Sequence, residues 1–371
     1  MQTELFSTEN AFRAALTPPI PICASETLPS IDLACLRLVS AGDSGTHSTI
    51  NDLGTALRVF GVILVKLSPD DFPLWDRTVL DDLLVAEAFD RECSRIFSNS
   101  SALHNYYREP PPDGAETAFY SFPLNSYAGG VRGNEIGDAH AGLPRSLIWN
   151  HNAIANPPVT AFADSQRILQ NFIRLYRDIT DVLVEALSIY FGDRKRFFRA
   201  LVGAQTHHRA NHLKLIHSPG ATIPEELEED RSTQMICRHR AHIDHCIFTL
   251  NPPTKLDSPS GGEFYYLSTR CQQLCWRPLI VPSFHVAIFG GVDIVTFTRG
   301  TSQQMRGLPH QVLATQPQAL KARNSVLYRV TVNPDASCLR TLHGHPFSFH
   351  GISTPTGLEY YKAVFKHRQG Y

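Results

Sequence analysis

The period of the apolar positions changes about halfway along the chain. Within 162–190, Ile168, Leu169, Phe172, Ile173, Tyr176, Ile179, Leu183, Ala186, Leu187 and Tyr190 recur at steps of three and four, the spacing of one helix face. This is the strongest helical pattern in the sequence. Upstream, Asn51 is placed to cap a shorter helix through Leu53, Ala56, Leu57 and Val59. Gly61 breaks that helix before the apolar run Val62-Ile63-Leu64-Val65, which reads as a strand. Residues 28–33 read as another short strand, and 73–97 have helical character. The stretch 106–156 contains Pro110-Pro111-Pro112 and Gly129-Gly130 and reads as mostly loop. Loops of that length are commonly lids or binding segments, and 120–135 are expected to close over a ligand.

After Gly203 the pattern becomes a series of short β segments: 212–216, 242–250, 263–267, 279–281, 285–289, 294–297, 310–314 and 323–332. Turn-rich spacers such as 251–262 separate them. Short strands after a helical half predict an α+β protein with a mainly β core, a sandwich or jelly roll buttressed by N-terminal and long central helices. The chain divides into an arm (1–27), a helix-and-strand region with lid-like loops (28–160), a β core with its long supporting helix (161–340) and a C-terminal extension (341–371).

Composition narrows the partners. Of 371 residues 43% are apolar or aromatic and 19% charged, with 34 Lys+Arg against 35 Asp+Glu and a formal net charge of -1. Such a balance gives no field to hold nucleic acid or anionic lipid, so a small-molecule substrate is the expected partner. No apolar run spans a bilayer, and the first residues lack the basic and apolar blocks of a signal peptide, so a cytoplasmic location is expected. The eight cysteines are scattered without CxxC spacing and read as reduced, mostly buried thiols. The short acidic run 225–230 reads as a solvated loop or helix end.

Three of the 17 His fall within Arg238–His245. His242 and Asp244 stand at i, i+2 in a β-like run, so their side chains share a strand face. His310, opening a later β segment, is the best third candidate. Two His and one carboxylate occupy one side of an octahedral ferrous ion and leave three positions free. Arg323 and Ser325 share a face of the following β run with Leu327, Arg329 and Thr331. A guanidinium and a hydroxyl can together hold one carboxylate, and a hairpin from His310 to Arg323 would put them beside the metal. Arg329 is the rival anchor on that face. His207, His208 and His212 read as surface or strand polar residues. His245 reads as facing away from His242 and Asp244.

The order His242-x-Asp244, His310, Arg323-x-Ser325 resembles the iron(II)- and 2-oxoglutarate-dependent oxygenases, in the branch of isopenicillin N synthase and the plant-type dioxygenases. Thr249-Leu250, Gly261-Gly262, Trp276 with Val281-Pro282, Gly291-x-Asp293, Leu28-Pro29-x-Ile31-Asp32-Leu33 and Val59-Phe60-Gly61-Val62-Ile63 extend the similarity over most of 28–335. The resemblance implies a double-stranded β-helix with iron held by His242, Asp244 and His310. It also implies 2-oxoglutarate anchored by Arg323 and Ser325, with O2 as oxidant. The reaction implied is C–H oxidation of a small molecule in specialised metabolism, by hydroxylation, desaturation or ring formation. Asp244 disfavours halogenation.

Two departures qualify this. Ser218 stands where relatives carry a Tyr that helps hold 2-oxoglutarate, with His217 and Lys214 as other substitutes. The Asp293–His310 interval is also longer than is common, which implies an enlarged hairpin over 298–308. The absent Tyr keeps a second outcome open, an oxidase like isopenicillin N synthase that draws its electrons from the substrate. A third is a catalytically silent ligand-binding barrel.

Overall fold

A computed structural model describes residues 20–40, 47–68, 145–150, 163–203, 211–218, 229–230, 235–251, 263–268, 274–282, 284–321 and 323–369. The expected lid 120–135, the segment 73–97, and His207 and His208 lie outside these residues.

The N-terminal part runs β1 (Ser30–Asp32), α1 (Leu33–Ser40), α2 (His47–Val59) and β2 (Val62–Lys66). Leu33 therefore opens a helix instead of ending a strand, because Leu33, Leu36 and Val39 form a buried helical stripe. Helix α2 begins upstream of Asn51. Strand β3 (Arg145–Asn150) lies within the stretch read as loop and pairs with β4 (His212–Ser218). Between them runs α3 (Ala163–Tyr190), as its periodicity predicts, followed by α4 (Phe197–Val202).

The remaining strands are β5 (Glu229–Asp230), β6 (Met235–His242), β7 (Phe248–Asn251), β8 (Phe264–Ser268), β9 (Cys275–Pro278), β10 (His285–Gly290), β11 (His310–Ala314), β12 (Arg323–Val330), β13 (Ser348–Phe349) and β14 (Ile352–Ser353). Among them lie the helices α5 (Val292–Thr298), α6 (Gln316–Ala319) and α7 (Gly357–Gln369).

The result is a mixed α and β architecture. A seven-stranded sheet has the order β1-β2-β10-β7-β12-β4-β3 and a five-stranded sheet the order β5-β6-β11-β8-β9. Strand alternation separates two cores. Ile63, Val65, Phe248, Leu250, Val286, Ile288, Tyr328 and Val330 face the helices, packing with Tyr176, Ile179, Leu183 and Leu187 of α3. Tyr176 and Tyr328 stack with ring centroids 5.3 Å apart. Each fully buried Leu or Ile of this layer contributes about 1.5–3 kcal/mol. The alternate residues Val62, Leu64, Ala287 and Phe289 join Phe264, Tyr266 and Val312 from the five-stranded sheet in a second cluster. Strand β2 is thus buried on both faces, which explains its unbroken apolar run. Helix α2 approaches α3 closely at Gly54, where a Cβ would lie 2.2 Å from the Tyr190 ring and push it aside.

Residues 21–23 of the arm lie along β9. Cys23 N–H donates to Trp276 O at 2.8 Å and Trp276 N–H to Pro21 O at 2.9 Å. Glu26 accepts from Tyr266 Oη at 2.9 Å and Ser268 Oγ at 2.8 Å.

Several β expectations change. The segment 294–297 is helical, since a short apolar run does not distinguish strand from buried helix. Strand β9 precedes the expected 279–281. The run 242–250 is two strands divided by a bend. Residues 298–308 are a helix end and loop, not a hairpin: Arg306 donates to Val59 O at 2.8 Å from Nη1 and to Leu57 O at 3.3 Å from its backbone N–H. Of the acidic run, Glu229 and Asp230 pair with β6.

Candidate metal centre

His242 ends β6, and His310 begins β11. The two strands pair antiparallel with His310 opposite His242, and the imidazole centroids lie 4.3 Å apart. Asp244 stands two residues on, just past the strand end, and its carboxylate meets the His242 imidazole as the i, i+2 spacing predicts. The chain then turns at 245–247. That turn is held by the start of α5: Val292 N–H donates to Asp244 O at 2.9 Å, Gly291 N–H to Ile247 O at 3.0 Å and Asp293 N–H to Cys246 O at 3.1 Å. Only glycine fits at 291, where a Cβ would lie 2.1 Å from Cys246 O and 2.7 Å from Asp244 O.

The outcome is that one donor atom each from His242, Asp244 and His310 lies within 4.8 Å of the others. His242 Nε2 is 3.4 Å from Asp244 Oδ1, and His310 Nε2 is 3.9 Å from Asp244 Oδ2. His310 Nδ1 is 2.9 Å from Leu308 O. Donation to that carbonyl would leave Nε2 as the lone-pair atom, the tautomer a metal needs. Phe264 stacks on the His310 ring at 4.9 Å and Phe289 meets it at 5.2 Å. Burial, with His242 nearby, pushes the His310 pKa down to about 3, so its imidazole is neutral at physiological pH. For Asp244, burial acts to raise the pKa. Arg329, the hydrogen bond with His242 and the two imidazoles outweigh it and hold the carboxyl well below the usual range.

Both Asp244 oxygens carry a donor. Thr249 Oγ1 donates to Oδ2 at 2.6 Å, and the Arg329 guanidinium donates to Oδ1. Asp244 and Arg329 are 1% and 5% exposed, so this is a buried ion pair. Sequence reading placed Arg329 on the correct face but missed its partner. Thr249 and Arg329 are register neighbours across β7 and β12, a fact that strand alternation alone cannot supply.

Arg323 and Ser325 do lie on the strand face shared with Arg329, but not through a hairpin. Strand β11 belongs to the five-stranded sheet and β12 to the seven-stranded one, with α6 between them. Arg323 Nε lies 3.1 Å from Glu263 Oε2. Glu263 was not anticipated; it follows Gly261-Gly262 at the entry to β8. Ser325 Oγ is buried and makes no hydrogen bond among the described residues. Ser218 is the register partner of Arg323, His217 that of Asn324, and Lys214 that of Leu327. His245 sits in the bend, its ring 5.5 Å from that of His350 and 5.9 Å from that of Phe349.

No protein-family model matches the sequence, and no curated protein matches it. Solved structures do. A full-length Neurospora crassa protein, solved in complex with alpha-KG, aligns at a TM-score of 0.58 and 15% identity over 91% of this chain and 95% of its own. A Caulobacter crescentus protein described as of the 2OG-Fe(II) oxygenase family aligns at 0.54 and 17% over 92% and 99%. A Shewanella oneidensis protein described as an oxygenase aligns at 0.55 and 14% over 93% and 99%. At these identities the likeness is one of fold.

Proposed function

We propose that this chain, which shares its fold with 2-oxoglutarate and iron oxygenases, is itself a mononuclear non-haem iron(II) oxygenase that uses 2-oxoglutarate and O2 to oxidise a C–H bond of a small molecule. The observation that carries the reading is the convergence of His242, Asp244 and His310 within 4.8 Å. Two imidazole nitrogens and one carboxylate from one side match the donor set of such a centre. The sheet orders support a double-stranded β-helix. In it β4, β12, β7 and β10 form one four-stranded layer and β6, β11, β8 and β9 the other, with consecutive strands alternating between layers except at β8–β9.

His242, Asp244 and His310 would hold the iron. When bound with its co-substrate and O2, the metal supplies oxidative decarboxylation of 2-oxoglutarate to succinate and hydrogen removal from the substrate. The protein's own part is to fix the donors. Leu308 O orients His310, Thr249 and Arg329 orient Asp244, and Phe264 and Phe289 exclude water from one side of the His310 ring. Arg323 and Ser325 are the residues for the distal carboxylate, and the orphaned Ser325 Oγ fits that use. Ser218, opposite Arg323 in register, is the candidate second anchor. Hydroxylation, desaturation and ring formation are the outcomes open to such a centre, and they differ in the fate of the substrate. The expected setting is specialised metabolism.

One observation favours a second reading. Arg323 already meets Glu263, and an oxidase that takes all its electrons from the substrate needs no anchor for 2-oxoglutarate. Oxygen uptake and succinate release by the iron-loaded protein separate the two. The oxygenase consumes O2 with 2-oxoglutarate and releases succinate. Substrate-dependent O2 uptake without succinate would establish the oxidase, and absence of both ferrous binding and turnover would favour the silent barrel.

A further inference from the structure

In a centre of two imidazoles and one carboxylate, a divalent ion leaves a residual charge of about +1. Among the described residues, one more cation lies against this centre. Arg329 is permanently charged, is buried, and lies directly on Asp244. With a divalent ion bound, the group of metal, Asp244 and Arg329 therefore carries about +2 in a site where Asp244 is almost fully enclosed. Arg323 does not alter this balance, because Glu263 stands against it. Such a site needs negative charge on the ligand that completes the coordination sphere.

We infer that Arg329 is a positioning residue that fixes Asp244 through Oδ1 and couples metal binding to the binding of a dianionic ligand at the metal. Without the ion, Arg329 is the counter-charge that keeps Asp244 ionised and in place. With it, Arg329 repels the metal, and a chelating dianion relieves that repulsion. Thr249 on Oδ2 keeps the carboxylate from turning away while metal and guanidinium share it. By linkage, metal and dianion must strengthen each other's binding by the same factor. The inference rests on the metal centre proposed above and specifies the ligand class that centre takes.

The test uses the full chain with Mn(II), which is redox-inert here, measured by the electron paramagnetic resonance of the free ion. Titrations run alone, with 2-oxoglutarate, and with oxalate, a shorter dianion that lacks the distal arm of 2-oxoglutarate. In the wild type either dianion should tighten Mn(II) binding by about tenfold or more. In Arg329→Met, Mn(II) alone should bind at least as tightly as in the wild type, with coupling reduced to roughly two- to threefold. Arg329→Lys should retain the coupling.

Equal weakening of Mn(II) binding by both substitutions, with and without dianion, would assign Arg329 a purely structural role and overturn the inference. So would coupling by 2-oxoglutarate but not by oxalate, which would place the effect at a distal anchor. If Arg329→Met does not fold, the wild-type oxalate titration and Arg329→Lys decide, and loss of coupling in Arg329→Lys overturns it. Absence of any Mn(II) binding in the wild type would instead sink the proposed function itself.

Discussion

At the scale of single residues, the buried pair of Asp244 and Arg329 dominates. Removing one partner of a buried ion pair leaves an uncompensated charge and costs about 3–5 kcal/mol. Asp244→Ala is therefore expected to destabilise the metal-free protein by that order in urea denaturation, as well as to abolish metal binding. An unchanged midpoint would mean that Arg329 finds water or another acceptor.

Glu263 supports a second prediction. Its carboxylate competes for the guanidinium of Arg323, so Glu263→Gln should tighten 2-oxoglutarate binding to the Mn(II)-loaded protein by about tenfold or more, as expected when a charge-assisted contact worth about 1.5–3 kcal/mol is freed. Calorimetry showing equal or weaker binding would remove Arg323 from the anchor. What could be read from residue type at this scale was the candidate donor set, His242, Asp244 and His310, whose ligand atoms the fold brings together. The partners of Arg329 and Arg323 could not be, because they depend on which strands lie side by side.

At the scale of elements, the turn from Asp244 to Ile247 and the first turn of α5 form one unit. Gly291 is the contact point, and a Cβ there meets backbone oxygens that cannot swing aside. Gly291→Ala should destabilise by about 1–3 kcal/mol, as overpacking does, and should weaken metal binding by displacing Asp244. Wild-type metal affinity in a folded Gly291→Ala protein would contradict this coupling.

The same helix carries Asp293, which is 2% exposed and accepts from Tyr360 Oη of α7 at 2.6 Å. Burial pushes its pKa up to about 7, against the lowering effect of that hydrogen bond. A carboxyl with a raised folded pKa contributes stability that is complete below the unfolded value of about 3.9 and is lost as pH rises through the folded value. The advantage of Asp293→Asn over the wild type should therefore grow between about pH 4 and about pH 7 and stay constant above that, and thermal melts with a pH-independent difference across that interval would show that Asp293 does not titrate there. Helix α5 was expected as a strand because 294–297 is too short for periodicity to decide. The caps and carbonyl contacts that make it helical come from the turn at Asp244.

At the scale of the whole molecule, the long helix α3, strands β11 and β12, and the change from helical to β character were legible in the apolar pattern. The assignment of β11 and β12 to different sheets was not, nor was the pairing of β3 with β4, because sheet order is set by crossovers that local sequence does not encode. Among the described residues no helix is long and apolar enough to cross a membrane. The two sheets nonetheless bring together residues from β6, the following turn, β7, β11 and β12 around Asp244. The central claim is that this meeting point holds one metal ion.

The most direct test is an anaerobic titration of the full chain with ferrous ion, comparing the wild type with His242→Ala, Asp244→Ala and His310→Ala. The account predicts one ion per wild-type chain and a loss of about tenfold or more in affinity for each folded variant. Ferrous binding that is absent in the wild type, or unaffected by all three substitutions, would contradict it.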